Sequence, residues 1–264
     1  MALPRARYSC ITRSHIWRQK IHQIVVRILS YNIHGCIGRD GRESPDRILD
    51  VIRQTDADIV GLQEVHSDDS LDRDFLRKLE HLPYRSVLYG KTLRKPNADY
   101  GNMLLLREPP EQVQRIELPN LHGGEPRGAI IADIRHNGQR LRILSTHLDL
   151  RVKARCLQTR SLLPHLSQEH CENCILLGDL NEWLPWRSHF RQFIVNFDAC
   201  SKLRTFPIKP CLFALDRIAI KGEISHCEFK TVDSRLAKIA SDHRPLICDL
   251  SWKNAFHRQL PPRR

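Results

Sequence analysis

The chain has 264 residues, 41% hydrophobic and 27% charged, enough for a packed core in one large domain or two small ones. No apolar run approaches the ~20 residues of a membrane helix, and the basic start has no apolar signal region, so a cytoplasmic protein is expected. Of the net charge of +12, residues 1–30 carry six Lys/Arg and residues 251–264 four, with no acid in either, so residues 31–250 stand at only +2. Basic ends on a nearly neutral body suit a nucleic acid or an anionic membrane surface equally, or serve solubility alone.

Residues 1–22 read as a poorly ordered basic extension, residues 23–252 as the folded domain and residues 253–264 as a basic tail. A strand is expected from Gln23, with Ile24, Val26 and Ile28 on one face. A helix follows over Ser44–Thr55, with Ser44 as N-cap, Pro45 at its first position and Ile48, Leu49 and Ile52 buried. Strands are expected next at 58–65, 85–90, 100–108, 128–136 and 141–148. Asn137-Gly138 is a hairpin signal between the last two. A helix over 151–166 carries Pro164 late, where it ends or kinks the helix. Strands then follow at 174–177, 216–222 and 243–252, the first turning at Gly178. At least eight strands mixed with helices and hairpins imply an α/β fold with mixed sheets. Nine cysteines, an odd number, fit reduced thiols. Cys171 and Cys174 form a C-x-x-C pair without the second pair a zinc site wants, and Cys174 reads as a strand residue.

The polar groups at strand ends carry the functional signal. "ILSYNIHG" ends on Asn32 and His34, "IVGLQEV" on Gln63 and Glu64, "ILSTHLD" on His147 and Asp149, and "ILLGDLNEW" on Asp179 and Asn181. Asp216 opens a strand, and Asp242 and His243 precede another. Ligand sites collect at the ends of sheet strands, so six such endings suggest one site. Carboxylates, amides and imidazoles supply hard oxygen ligands and proton carriers. That set suits Mg²⁺ better than zinc, and water attack on a phosphate ester better than a covalent nucleophile. His34 and His66 read as loop residues, Asp149 as a helix cap, and Trp183 and Trp186 as packing or rim residues.

With "SYNIHG", "GLQEV", "STHLD", "GDLNEW", "LDRIAI" and "SDHRP" in this order, the chain resembles the endonuclease/exonuclease/phosphatase superfamily over about residues 24–252. The resemblance implies a four-layered α/β sandwich, two packed mixed sheets flanked by helices. It implies a Mg²⁺-dependent (or Mn²⁺-dependent) phosphoesterase with Glu64, Asn32 and Asp242 as metal ligands. It casts Asp179, Asn181, His243, Asp216 and His147 as catalytic, and Arg127, Tyr100 and Asn102 as substrate-binding. The first expectation is a nuclease acting on DNA or RNA. A phosphatase or phosphodiesterase on a phospholipid or other small phosphoester stands second, with peripheral membrane association through the basic tails, and an inactive binding module third. A monomer is expected.

Overall fold

The computed structural model describes residues 25–68, 72–94, 98–121, 123–136, 138–166 and 172–253. The expected extension over 1–22, Ile24, Asn137, Cys171 and all but Lys253 of the basic tail lie outside the described residues. The elements in chain order are β1 (Val26–Asn32), α1 (Pro45–Thr55), β2 (Ile59–Asp68), α2 (Asp72–Leu79), β3 (Ser86–Arg94), β4 (Ala98–Leu106), β5 (Pro110–Leu118), β6 (Arg127–His136), β7 (Gln139–His147), α3 (Val152–Leu162), β8 (Asn173–Asp179), α4 (Ser188–Ile194), β9 (Ala199–Cys200), β10 (Asp216–Lys221), β11 (Ile224–Thr231), α5 (Ala237–Ala240) and β12 (Leu246–Trp252).

Two six-stranded sheets result, ordered β11-β12-β1-β2-β4-β3 and β5-β6-β7-β8-β10-β9. Each is mixed. In the first, β1 and β2 are parallel, joined across α1, while β12 runs antiparallel to β1. In the second, β7 and β8 are parallel, joined across α3, while β10 runs antiparallel to β8. A parallel pair needs such a long crossover, and the helix it contains must cover a sheet face. The chain builds this unit twice.

Three apolar clusters bind the layers. Val26, Ile28, Ile59 and Leu104 of the first sheet meet Ile130, Ile143, Ile175 and Ile218 of the second between the sheets. Leu29, Tyr31, Val60 and Leu62 on the first sheet's other face pack with Ile48, Leu49 and Ile52 of α1 and Phe75 of α2. Leu144, Leu176 and Ala219 pack with Leu162 of α3 and Phe190 and Phe193 of α4. The central strands are therefore apolar on both faces, as "CILL" and "GAII" show, and the four-layered sandwich implied by the resemblance is the observed fold.

Several local expectations change. The described residues form twelve strands, above the expected minimum of eight; the edge strands β5 and β11, whose polar residues leave no apolar run, were not expected. Described β1 begins at Val26, not Gln23. Ser44 occupies the N-cap of α1 without a side-chain capping bond, while Pro45 and Asp46 sit as expected in the first turn. Pro164 lies in a 3₁₀ turn over Leu163–Leu166 that continues from the end of α3. β6 and β7 form the expected hairpin, with His136 opposite Gln139.

The chain does not turn at Gly178. It continues in β8 to Asp179, with Gly178 opposite both Thr146 and Arg217. Gly178 adopts φ +146°, and a Cβ there would fall 1.8 Å from the Thr146 carbonyl oxygen. Only glycine lets β7 approach β8 this closely beside Asp179.

Candidate active site

Topology brings the strand-end residues to one edge of the sandwich. Parallel β1 and β2 pair as far as Asn32 opposite Gln63, so Asn32 lies beside Glu64 although β2 itself runs on to Asp68, and parallel β7 and β8 deliver His147 opposite Asp179. Antiparallel β10 starts where β8 ends, so Asp216 lies opposite Asp179. Antiparallel β12 starts where β1 ends, with Ser30 opposite Leu246, so Asp242 and His243 arrive just before it.

Two site residues occupy left-handed backbone, which costs a non-glycine residue about 1–3 kcal/mol. Glu64 has φ +58° within a β-bulge between Leu62 and Val65. The bulge breaks the strand's alternation at Glu64. Asn181 has φ +50°. The chain between Asp179 and Asn181 is a tight turn, in which the Asn181 N–H donates to Asp179 Oδ1 at 2.9 Å.

Asn32 joins the two carboxylates. Its Nδ2 donates to Glu64 Oε1 at 2.8 Å and Asp179 Oδ2 at 3.1 Å, while its Oδ1 accepts the His34 N–H at 3.1 Å. Carboxylates on one side and an N–H on the other fix the orientation of the amide. Asn32 therefore offers Glu64 a donor; its oxygen faces the His34 backbone.

On the other flank, His243 Nδ1 lies 2.8 Å from buried Asp216 Oδ2, and its Nε2 lies 3.8 Å from Asp179 Oδ2. Burial alone would lower the His243 pKa. The carboxylates of Asp216, Asp179 and Asp242 outweigh it and raise the pKa to about 10. Burial, then repulsion from Asp216, raise the pKa of Asp179. Ligand atoms of Asp179, Asp216 and His243 lie within 4.8 Å of one another. With the imidazole protonated the trio can carry a proton; with it neutral the three offer the ligand types of a metal site.

His147 differs. Burial, followed by the charges of Arg127 and His243, pushes its pKa well down, so the ring is neutral. Arg127 Nη1 lies 3.0 Å from His147 Nδ1. A guanidinium only donates, so Nδ1 accepts and the ring proton sits on Nε2. That nitrogen lies 3.0 Å from Asn181 Nδ2, which donates to the Leu148 carbonyl at 2.9 Å, and 3.7 Å from Asp179 Oδ2. With Nδ1 taken by Arg127, His147 Nε2–H and the Asn181 amide both present donors at this point.

The remaining expected residues sit further out. Tyr100 shares Arg127 as a neighbour and packs edge-on against His66 at 5.2 Å. Asn102 is buried and donates to the Gly128 carbonyl at 3.1 Å, which ties β4 to β6. Asp242 is half-buried, 3.9 Å from His34 Nδ1. Asp149 binds the Arg151 N–H and guanidinium instead of capping α3, whose N-cap is Arg151. Trp183 packs edge-on against Phe206 and Phe213, and Phe206 lies 4.6 Å from the His243 ring.

Sequence reading missed Arg155 and Glu182. Both are fully buried, with Arg155 Nε donating to Glu182 Oε2 at 3.3 Å. Arg155 Nη1 also donates to the Asp149 and Leu150 carbonyls at 3.1 and 2.5 Å. The pair links the loop after His147 to the loop after Asp179. The only signal was a charge pair, Arg155 in a helix and Glu182 beside Asn181, and ordinary surface residues look the same.

Arg127→Lys is expected to keep the charge but lose the fork that fixes His147. Steady-state kinetics on a soluble phosphodiester should show kcat/KM down by roughly 10–100-fold, and an unchanged value would remove Arg127 from the site.

This is a phosphoester-hydrolase fold with a carboxylate–imidazole site at the strand ends. The sequence profile of the Endonuclease/Exonuclease/phosphatase family matches residues 29–243, and the chain belongs to that family, whose members hydrolyse phosphate esters. Among solved structures it is similar to an endonuclease/exonuclease/phosphatase from Beutenbergia cavernae DSM 12333 (22% identity, 88% of this chain and 72% of that one, TM-score 0.71). It is also similar to the human Nocturnin catalytic domain with bound sulfate (21% identity, 88% and 96%, TM-score 0.67). A third is the Bacteroides thetaiotaomicron mannosyl-6-phosphatase Bt3783 (16% identity, 86% and 100%, TM-score 0.65). None of the curated proteins matches this chain. No described helix is long and apolar enough to cross a membrane.

Proposed function

We propose that the chain hydrolyses phosphodiesters by attack of water, with Asp179 as general base and His243 as the cation against the phosphate. The observation that carries this reading is the buried row Asp216–His243–Asp179, in which one carboxylate holds the imidazole protonated and the other is left with a raised pKa. A base with a raised pKa takes a proton from water more readily near neutral pH. Asn32 and the Asn181 N–H hold its two oxygens, so its position is set before substrate arrives. His243 Nε2–H, His147 Nε2–H and Asn181 Nδ2 donate to the non-bridging oxygens as charge builds on them. Arg127 supports His147 from behind, with Tyr100 beside Arg127.

The donor set fits a divalent cation. Glu64 is placed by a strained bulge and fixed through Oε1 by Asn32, and Asp242 lies half-exposed on the neighbouring strand end. Hard oxygens of this kind suit Mg²⁺ or Mn²⁺. Glu64 and Asp242 would hold the ion, with Asn32 orienting Glu64. When bound, such an ion supplies Lewis-acid stabilisation of phosphate charge. Nucleic-acid and small-phosphoester substrates share this chemistry; the nucleic-acid expectation drew on basic ends that lie largely outside the described residues.

Hydrolysis of bis-para-nitrophenyl phosphate tests the reading directly. Activity in Mg²⁺ that EDTA abolishes and added Mg²⁺ restores is the expected result. Folded protein that binds Mg²⁺ and releases no nitrophenolate would make the chain a binding module instead.

A further inference from the structure

Three loops leave the site edge on the second sheet's side: 148–151 after β7, 180–187 after β8, and 201–215 before β10. They are contiguous. The Leu148 N–H donates to the Asp179 carbonyl, and the Leu180 N–H to the Leu215 carbonyl. Trp183 touches Phe206 and Phe213 across the last two loops. Each loop holds large apolar side chains out to solvent: Leu150 at 61% exposure, Trp186 at 68%, Leu203 at 36% and Leu212 at 50%. Single exposed leucines are ordinary, but four on adjoining loops around one site are not.

The charge on these loops is one-sided. Residues 183–197 and 199–215 contain no Asp or Glu, while Arg187, Lys202, Arg204 and Lys209 are exposed. None of these four cations enters an ion pair among the described residues. Asp149 and Glu182 lie within these loops but are buried and paired with Arg151 and Arg155. Asp216, which follows the last loop, is buried, and exposed Asp198 stands outside the loops between α4 and β9, where it accepts the Gly222 N–H. The rim is therefore apolar and cationic at once.

We propose that this rim docks on an anionic lipid surface and presents headgroup phosphodiesters to the site, an inference that rests on the phosphoesterase reading above. Exposed leucines and a tryptophan beside unpaired cations match the lipid–water boundary, where apolar side chains enter the acyl region and cations meet headgroup phosphates. A single-stranded nucleic acid would share the cations but would use open aromatic faces for stacking. Here Trp183, Phe206 and Phe213 are partly buried against one another, and three of the four projecting side chains are aliphatic.

The test uses the full chain and two variants, Leu203→Ser/Leu212→Ser and Trp186→Ala, none of which touches the catalytic cluster. Co-sedimentation with phosphatidylcholine vesicles containing roughly a third phosphatidylserine is compared with hydrolysis of soluble bis-para-nitrophenyl phosphate. The double variant is expected to bind the vesicles about tenfold more weakly, Trp186→Ala to weaken binding in the same direction, and both to keep the soluble activity. Equal vesicle binding by variants and wild type would overturn the rim proposal, because the basic ends alone would then explain adsorption. Loss of single-stranded oligonucleotide binding with vesicle binding intact would also overturn it, in favour of a nucleic-acid surface. Absence of soluble hydrolysis in the wild type would instead count against the phosphoesterase reading, whatever the vesicles show.

Discussion

Asp179→Asn is expected to lower kcat on a soluble phosphodiester by roughly 10³–10⁴-fold, the upper range for loss of a positioned general base. The substitution keeps the size of the side chain and removes its basicity. Both Asp179 oxygens accept hydrogen bonds in the wild type, from the Asn181 N–H and from Asn32 Nδ2. An asparagine can satisfy only one of these with its oxygen, and its amide nitrogen then faces a donor, at a cost of about 1–3 kcal/mol. Opposing that, the variant no longer buries a carboxylate opposite Asp216. The two effects are of similar size, so thermal unfolding should shift little while activity collapses. Retention of kcat within tenfold, in protein that unfolds cooperatively, would exclude Asp179 as the base and move that role elsewhere in the cluster.

That prediction was within reach of the sequence because strand ends are legible. An apolar run that stops at a polar pair, as in "ILLGDLN" or "ILSTHLD", marks the edge of a sheet, and the order of six such endings carried the resemblance. The four-layered fold followed from the same runs. Several features that shape the site left no such trace. The Glu64 bulge and the left-handed turn at Asn181 place side chains against the strand's natural alternation, so period-two reasoning aims them wrongly. The amide of Asn32 is a plausible oxygen ligand by type. Only the His34 N–H on one side and two carboxylates on the other show that its nitrogen faces inward. Edge strands β5 and β11 escaped because their few core-facing apolar residues are scattered among polar ones, and α4, at seven residues, is too short for a helical period to be counted. The exposed leucines of the rim were invisible for the opposite reason: an apolar residue in sequence is presumed buried until a structure shows it standing in water.

The largest expected loss of stability comes from Arg155→Met. Arg155 is among the largest fully buried side chains, and its charge is balanced by buried Glu182. Removing one partner of a buried pair leaves the other uncompensated and typically costs 3–5 kcal/mol, a large share of a domain's total stability. His189 Nε2, 3.0 Å from Glu182 Oε2, remains as a second partner for the carboxylate, which should hold the loss toward the lower end. Replacing both charges, as Arg155→Met with Glu182→Gln, should recover much of the stability by removing the stranded carboxylate. It should not recover activity to the same extent. Arg155 also donates to the Asp149 and Leu150 carbonyls, and Glu182 accepts the Leu184 N–H at 2.8 Å. These bonds hold the loops that carry His147 and Asn181, and a displacement of about 1 Å there is worth roughly 10²-fold in rate. Denaturant unfolding and kcat measured on the wild type, the two variants and Arg155→Lys separate the two contributions. Recovery of both together in the double variant would reduce Arg155 to a structural charge. Recovery of stability with kcat still depressed, and restored by Arg155→Lys more than by Arg155→Met, would make it the residue that positions the two catalytic loops.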